Sequence, residues 1–294
     1  MAEEKLNNMK LSVCMTTYNR AKELDISLDS LSHQTRLPDE LIISDDCSFD
    51  STPDIVEKWR KIFPSLIYNR NKTNMNMPGN LNAAINLAGG EYIANLHDAD
   101  TFDPTLLEKW ERALDQYPSA GFVFSGIGNW PTWSKSENAI ILHDVEPFTK
   151  GLIFFEENFL HKFSSIVWGT VMARRSAYKT LLPFDSDFGF ISDVDMWMRM
   201  CLNNDIAYVR EPLIFLDHSP TPQRAFRWNR LITLGKMQEI NINRFYKDFP
   251  DRLRTELKIH YRLARREYLR RFAGRIWHRD WSAISEGIRL YPKF

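Results

Sequence analysis

At 294 residues, with 44% hydrophobic and 26% charged side chains, the chain is long enough for one large domain or two and apolar enough to bury a sizeable core. No stretch approaches the roughly 18 consecutive apolar residues of a membrane-spanning helix, MAEEKLNNMK lacks the apolar centre of a secretion signal, and the widely spaced Cys14, Cys47 and Cys201 argue against a disulfide framework or a cysteine-built zinc site, so a cytoplasmic protein is expected. Net charge is zero but unevenly spread: positions 221–294 carry 18 Lys and Arg against 7 Asp and Glu, the pattern of a tail that meets an anionic surface or docks on its own acidic body.

Strand and helix signals alternate from Lys10 onward. The apolar run Lys10–Met15 reads as a strand, the loop Thr16-Thr17-Tyr18-Asn19-Arg20 follows, and Leu24, Leu28 and Leu31 then recur at helical spacing. Leu41–Ser44 is a second strand leading to the acidic loop Asp45-Asp46-Cys47-Ser48. Thr52 as N-cap and Pro53 at the first helical position announce a helix. A short strand at Leu66–Tyr68, a helix Asn80–Ala88 ended by Gly89 and Gly90, a strand running to Asp98 and Asp100, a helix Pro104–Tyr117 and a strand Gly121–Ser125 complete the series.

Strands separated by helices predict an α/β fold with a mostly parallel sheet and helices on both faces. In such sheets the ligand lies in the crevice beyond the strands' carboxyl ends. Thr17-Tyr18, Asp45-Asp46 and Asp98/Asp100 all fall at those ends, so three polar clusters are expected on one rim. Asp-x-Asp by itself is commonly a polar turn. At the end of a strand beside two further polar loops, it suits a hard cation, Mg²⁺ or Mn²⁺, whose oxygen shell a diphosphate completes.

After Gly126 the alternation weakens, and 126–165, with Trp130, Trp133, Phe148, Phe154, Phe155 and Phe159, reads as an irregular insertion. Order returns with a strand at Ile166–Ala173, a helix from Ser176, and a loop before a helix in PFDSDFGFISDVDMWMRM. The remainder, with its aromatics set among arginines, reads as a helical extension. The expected boundaries are 1–220 for the α/β domain and 221–294 for the basic extension.

Four segments in order, LSVCMTTYNR (11–20), LIISDDCSFDST (41–52), NMNMPGNLNAAINLAGGEYIANLHDAD (74–100) and ISDVDMWMRM (191–200), resemble a family 2 glycosyltransferase of the GT-A (Rossmann-like) fold. The family's usual Pro, third acid, Arg and Glu are replaced here by Thr16, Thr101, Leu81 and Ser192. The resemblance implies that Thr17, Tyr18, Asn19 and either Asp45 or Asp46 hold the nucleoside, that Asn80 and Asn82 order the donor loop, and that Asp98 serves both the nucleotide and the metal. Asp98, Asp100 and His218 would contact a Mn²⁺ or Mg²⁺ ion or the phosphates it holds, although a lone histidine such as His218 is as often structural. Asp193, at a helix start whose dipole keeps a carboxylate ionised, would be the base of an inverting transfer; an N-cap role is compatible with that. Asp195, about 200° further round the helix, cannot face the same acceptor. Trp130, Trp133 and Gly169 are the acceptor-side candidates, since aromatic faces pack on sugar rings.

The implied reaction moves a sugar from a nucleoside diphosphate sugar, UDP-sugar favoured, to a hydroxyl of a glycan or lipid-linked acceptor, in bacterial surface polysaccharide synthesis. The basic tail would attach the protein peripherally to the anionic inner face of the membrane. Two alternatives compete. A nucleotidyltransferase would carry a Gly-rich basic loop after its first strand, where TTYNRAKEL has no glycine. A nucleic-acid-binding module would use the arginine-aromatic tail, but arginines around an amphipathic helix are more simply a solvated face, and no nucleic acid is expected.

Overall fold

The structure, a computed structural model, describes residues 10–131, 138–160, 165–167, 169–181, 183–216 and ten helical positions between Thr255 and Trp277. The chain separates into two compact units, one of Met1–Ile153 and Ile166–His218, the other of Phe154–Ser165 and Ser219–Phe294.

The first unit is built on one sheet. Strands β1 (Leu11–Thr17), β2 (Glu40–Asp45), β3 (Leu66–Arg70), β4 (Tyr92–His97), β5 (Asp100–Phe102), β6 (Ala120–Pro131), β9 (Val171–Arg174) and β10 (Asp205–Leu216) lie in the order β3-β2-β1-β4-β9-β6-β10-β5. Two short strands lie off this path: β7 (Asn138–Ile141) pairs with β6 and β8 (Phe148–Thr149) with β10. The half β3-β2-β1-β4 is entirely parallel. Beyond β4 the sheet is mixed, because β9 runs antiparallel to both β4 and β6 while β10 runs parallel to β6. The chain steps outward from β1 to β2 and β3, then returns to the other side of β1 as β4, which makes the β1/β4 junction the topological switch point.

Every residue of β1 and β2 is buried or nearly so, as expected of strands covered on both faces. Alternate side chains Leu11, Val13, Met15, Leu41, Ile43, Ala94 and Leu96 join one core with Leu24, Leu28 and Leu31 of helix α1 (Ala21–Ser32), Val56 and Trp59 of α2 (Thr52–Trp59), and Trp110 and Leu114 of α4 (Leu106–Gln116). Helix α3 (Asn76–Leu87) packs on β1 and β2 through Leu81, Ala84 and Ile85, which lie outside that core. Helix α7 (Ser192–Asn203) packs against β6, where Trp197 lies 5.4 Å from Phe122 and 6.0 Å from Phe184. Two short helices, α5 (Gly151–Phe155) and α6 (Arg175–Leu181), complete the series.

Several boundaries differ from the sequence reading. Helix α3 begins at Asn76, a turn earlier than expected: Asn76 is left-handed, φ 60°, and Pro78 falls in the first turn, where its missing amide needs no partner. Helix α2 is capped from outside rather than by Thr52: Asp50 Oδ1 accepts the Thr52 amide at 3.1 Å and its hydroxyl at 2.6 Å. Strand β6 runs through Pro131, so the expected insertion opens with a long strand and its hairpin partner β7.

In the second unit Phe159 packs on Phe154 and Phe155, with ring centres 5.9 and 6.1 Å apart, around a π-turn at Glu156–Leu160. Among the described residues, no helix is long and apolar enough to cross a membrane.

Candidate functional site

Parallel register delivers the three polar clusters to one edge. Thr17 stands opposite Asp45, and Thr16 opposite His97, at the carboxyl ends of β1, β2 and β4. The Asp46 amide donates to the Thr17 carbonyl at 2.9 Å, which closes the first two loops on each other.

The two neighbouring carboxylates Asp45 and Asp46 have separate roles. Asp45 is fully buried and committed to the scaffold: it accepts the Ser48 amide at 2.8 Å and the Tyr68 hydroxyl at 2.6 Å, with Arg70 Nε at 3.6 Å. Burial and that bond push the Tyr68 phenol well above its ordinary range. Asp46 uses one oxygen, Oδ1, for the Asn71 amide group at 3.0 Å and the Met75 N–H at 2.7 Å, and among the described residues Oδ2 makes no hydrogen bond. Asn80 supports this from behind, accepting from Asn71 at 2.9 Å and donating to the Ser44 carbonyl at 2.9 Å.

Asn19 holds the first loop to the second. Its backbone is left-handed, φ 52°, a conformation asparagine tolerates; its side chain accepts the Phe49 amide at 2.9 Å and its own amide donates to Ser48 Oγ at 2.8 Å. Tyr18 and Phe49 therefore meet edge to face, 6.3 Å apart and 85° inclined, with Phe49 82% exposed. A large aromatic ring left in water at the mouth of a site is a surface for a planar ligand.

Asp98 is buried, its Oδ1 3.2 Å from the Arg20 guanidinium. Its Oδ2 and the Thr17 hydroxyl are both buried, and the interaction of Thr17 with this carboxylate favours its ionised form. Burial raises the Asp98 pKa above the ordinary carboxylate value, with the Arg20 charge the strongest opposing influence. Asp100, paired across the sheet with Leu216, lies 3.3 Å from His97 Nδ1 and 3.4 Å from the Thr170 hydroxyl. Burial works to lower the His97 pKa, but its bond to Asp100 and the charges of Asp100, Asp193 and Asp98 raise it.

Gly169 links this acidic end to Asp193. Asn95 donates to its carbonyl at 2.8 Å, and a Cβ at this position would come within 2.5 Å of His97 Nε2 and 3.1 Å of Asp193 Oδ2. Asp193 is the second residue of α7, its Oδ1 accepting the Val194 amide at 2.8 Å; the N-cap position belongs to Ile191, so Asp193 is not the cap. Asp195 is turned away into a buried ion pair with Arg199 at 2.8 Å, in keeping with its helical angle. Asn82 engages both the carbonyl and the amide of Phe184, at 3.0 and 2.8 Å.

The structure thus brings together Thr17, Asp46, Asp98, Asp100, Gly169 and Asp193, with Tyr18 on the rim, and gives Asn19, Asp45, Asn80 and Asn82 bonds that position the loops. His218 and Trp133 lie outside the described residues, as does the side chain of Trp130 on β6. Arg20, Phe49, Asn71, His97 and Thr170 also line the site. The one signal for His97 was Asn95, a polar residue on the same strand face in the otherwise apolar YIANLH. Among the described residues, no three His, Cys, Asp or Glu side chains gather as a complete ligand set. The buried Asp98 carboxylate, with the Asp100 carboxylate two residues on, supplies oxygen donors of the kind a hard cation takes, its remaining ligands coming from elsewhere.

A parallel half-sheet with acidic loops at its switch point, continued by a mixed half, defines an α/β protein of the GT-A type. The chain belongs to glycosyl transferase family 2, whose profile matches residues 12–182. It is 31% identical to EpsE of Bacillus subtilis over 193 residues, 65% of this chain and 66% of EpsE, so the match spans just under two thirds of that relative. It is 39% identical to the abequosyltransferase RfbV of Salmonella typhimurium over 88 residues, 29% of this chain and 26% of RfbV. Among solved structures, S. aureus TarS 1–349 superposes with a TM-score of 0.65 at 20% identity, over 86% of this chain and 70% of that one. The mannosyltransferase PcManGT from Pyrobaculum calidifontis, in complex with GDP-Man and Mn²⁺, superposes with a TM-score of 0.62 at 17% identity, over 96% of this chain and 81% of that one.

Proposed function

We propose that this protein is an inverting, metal-dependent glycosyltransferase that moves a sugar from a nucleoside diphosphate sugar to a hydroxyl of a glycan or lipid-linked acceptor. The observation that carries the reading is the closeness of Asp193 to Gly169 and His97, with His97 also feeling the buried Asp98 and Asp100 carboxylates.

On this reading Tyr18 packs on the base, Asp46 Oδ2 accepts from the nucleoside, and Asp98 and Asp100 hold Mn²⁺ or Mg²⁺. His218 is proposed as a further contact, since only one residue separates it from Leu216, the partner of Asp100. The cation, when bound, supplies charge neutralisation for the departing diphosphate. Asp193 takes the proton from the acceptor hydroxyl, whose oxygen attacks the anomeric carbon from the face opposite the diphosphate. The bond from that carbon to the diphosphate oxygen breaks, and the nucleoside diphosphate leaves with the electron pair.

We assign transfer to residues 1–220 and an accessory role to 221–294. Peripheral attachment to an anionic membrane face is supported by the exposure of Ile259, Leu263, Leu269 and Trp277 beside the exposed Arg262 and Arg266 in a basic part of the sequence. Such a location suits a lipid-linked acceptor and surface polysaccharide synthesis.

A thermal-shift panel of UDP, GDP, dTDP and CMP with and without Mn²⁺ identifies the nucleotide, since a ligand that binds only the native state raises its apparent stability. With the donor in hand, Asp193→Asn is expected to retain donor binding and lose transfer; full transfer by that variant would reject Asp193 as the base.

A further inference from the structure

We propose that Arg20 is an exchangeable counter-ion: it holds Asp98 while the cation site is empty and passes to the donor's diphosphate when cation and nucleotide arrive together. This rests on the reading that Asp98 and Asp100 hold a divalent cation.

Three observations carry it. Arg20 follows directly on the Tyr18-Asn19 loop at the N-terminus of α1, so its backbone is fixed at the mouth of the site by the Asn19 bonds to Ser48 and Phe49. Its side chain is 37% exposed while that of Asp98 is 8% exposed, so the guanidinium reaches into a buried carboxylate from the solvent side. The contact is a single one, Nη1 to Oδ1 at 3.2 Å, instead of the bidentate fork that makes arginine-carboxylate pairs strong, and among the described residues Arg20 makes no other ion pair or side-chain hydrogen bond.

A long, one-point bond from a partly exposed side chain is easily released. A divalent cation on Asp98 would stand beside the guanidinium and repel it. The nearest anion would then be the diphosphate, whose oxygens match the planar donor fork better than one buried carboxylate oxygen does. Arg20 thus opposes entry of the cation alone and favours entry of the cation with the nucleotide. The two ligands would bind cooperatively through one side chain, with no movement of the backbone required.

The test is Mn²⁺ binding to the full chain, followed by electron paramagnetic resonance, without nucleotide and with UDP or GDP, in wild type, Arg20→Gln and Arg20→Lys. The expected result for Arg20→Gln is severalfold tighter Mn²⁺ binding alone, roughly tenfold weaker nucleotide binding in Mn²⁺, and loss of most of the coupling between them, with Arg20→Lys intermediate. A residue that only neutralised Asp98 would give tighter Mn²⁺ with nucleotide affinity unchanged or improved, and that outcome overturns the proposal. Unchanged Mn²⁺ affinity in Arg20→Gln overturns it too. If wild type itself took up no Mn²⁺ with either nucleotide, the metal reading would fall and this inference with it.

Discussion

Asn82 and Phe184 exchange two hydrogen bonds, side-chain Nδ2 to carbonyl at 3.0 Å and amide to Oδ1 at 2.8 Å, and so tie helix α3 to the segment that leads into α7. The Ser192 hydroxyl, 3.8 Å from Met77 Sδ, joins the same two segments, so the α3 side and the Asp193 side of the rim are tied at two points. Asn82→Ala leaves a partly buried amide and carbonyl without partners and is expected to cost about 1–3 kcal/mol of stability. A urea titration measures that cost, and kcat is expected to fall more than the donor KM rises, because the start of α7, which carries Asp193, loosens.

Gly169→Ala tests the contact between the acidic end and Asp193, the proposed base. The added methyl cannot sit 2.5 Å from His97 Nε2, so the ring or the Asp193 carboxylate must move. The expected outcome is at least a tenfold loss of kcat with nucleotide affinity within about threefold of wild type, since misplacing a reacting group costs rate before binding. Calorimetry with the nucleotide and initial-rate kinetics separate the two.

Phe49→Ala should leave stability unchanged, because a ring 82% exposed contributes little to the core. If the Tyr18-Phe49 corner packs on the base, donor affinity falls about two- to tenfold, the range of a single aromatic contact worth about 0.5–1.5 kcal/mol. Unchanged affinity for the donor would remove Phe49 from the site.

Asp98 is a carboxylate kept where burial raises its pKa, so its ionised form destabilises the metal-free fold. The sign follows from linkage: a group whose folded pKa is raised favours the native state at low pH, and that contribution is lost as pH rises through the folded value. Asp98→Asn is therefore expected to match wild type at acid pH, where both side chains are neutral, and to exceed it in melting temperature increasingly towards neutrality. The same variant is expected to lose Mn²⁺-dependent nucleotide binding. Melting curves across pH in a chelating buffer check the first expectation.

The buried Asp195–Arg199 pair gives a further stability test. Arg199 also donates to the carbonyls of Leu181 and Pro183, so Arg199→Met strands both them and a fully buried carboxylate, an expected loss of about 3–5 kcal/mol. Replacing both partners, Asp195→Leu with Arg199→Met, is expected to recover part of that loss, read from urea midpoints.

The parallel half of the fold was legible because its strands are apolar runs that end in polar residues: Leu11–Thr17, Glu40–Asp45 and Tyr92–His97 each announce themselves and point to the rim. The mixed half was less so. Gly126 and Gly128 broke the strand pattern of β6, yet Gly128 belongs there, since a Cβ would strike the Phe215 ring at 2.4 Å. Strand direction is set by tertiary pairing, so the antiparallel run of β9 had no local signature. At the site, Asp98, Asp100 and Asp193 could be read from acids at element ends. Which of Asp45 and Asp46 is committed to the scaffold could not be read, because that turns on Tyr68 claiming one of them from a neighbouring strand. Arg20 and His97 escaped notice because a lone basic residue beside a motif has no meaning until distances are known.

The central claim, that the acid pair at the end of β4 anchors the donor's diphosphate through a cation, is tested most directly by calorimetric titration of the nucleoside diphosphate into wild type and Asp100→Asn, each in Mn²⁺ and in chelator. Wild type is expected to bind in Mn²⁺ and to lose that binding in chelator, and Asp100→Asn to bind at least tenfold more weakly in Mn²⁺. Equal affinity in all four titrations would contradict it.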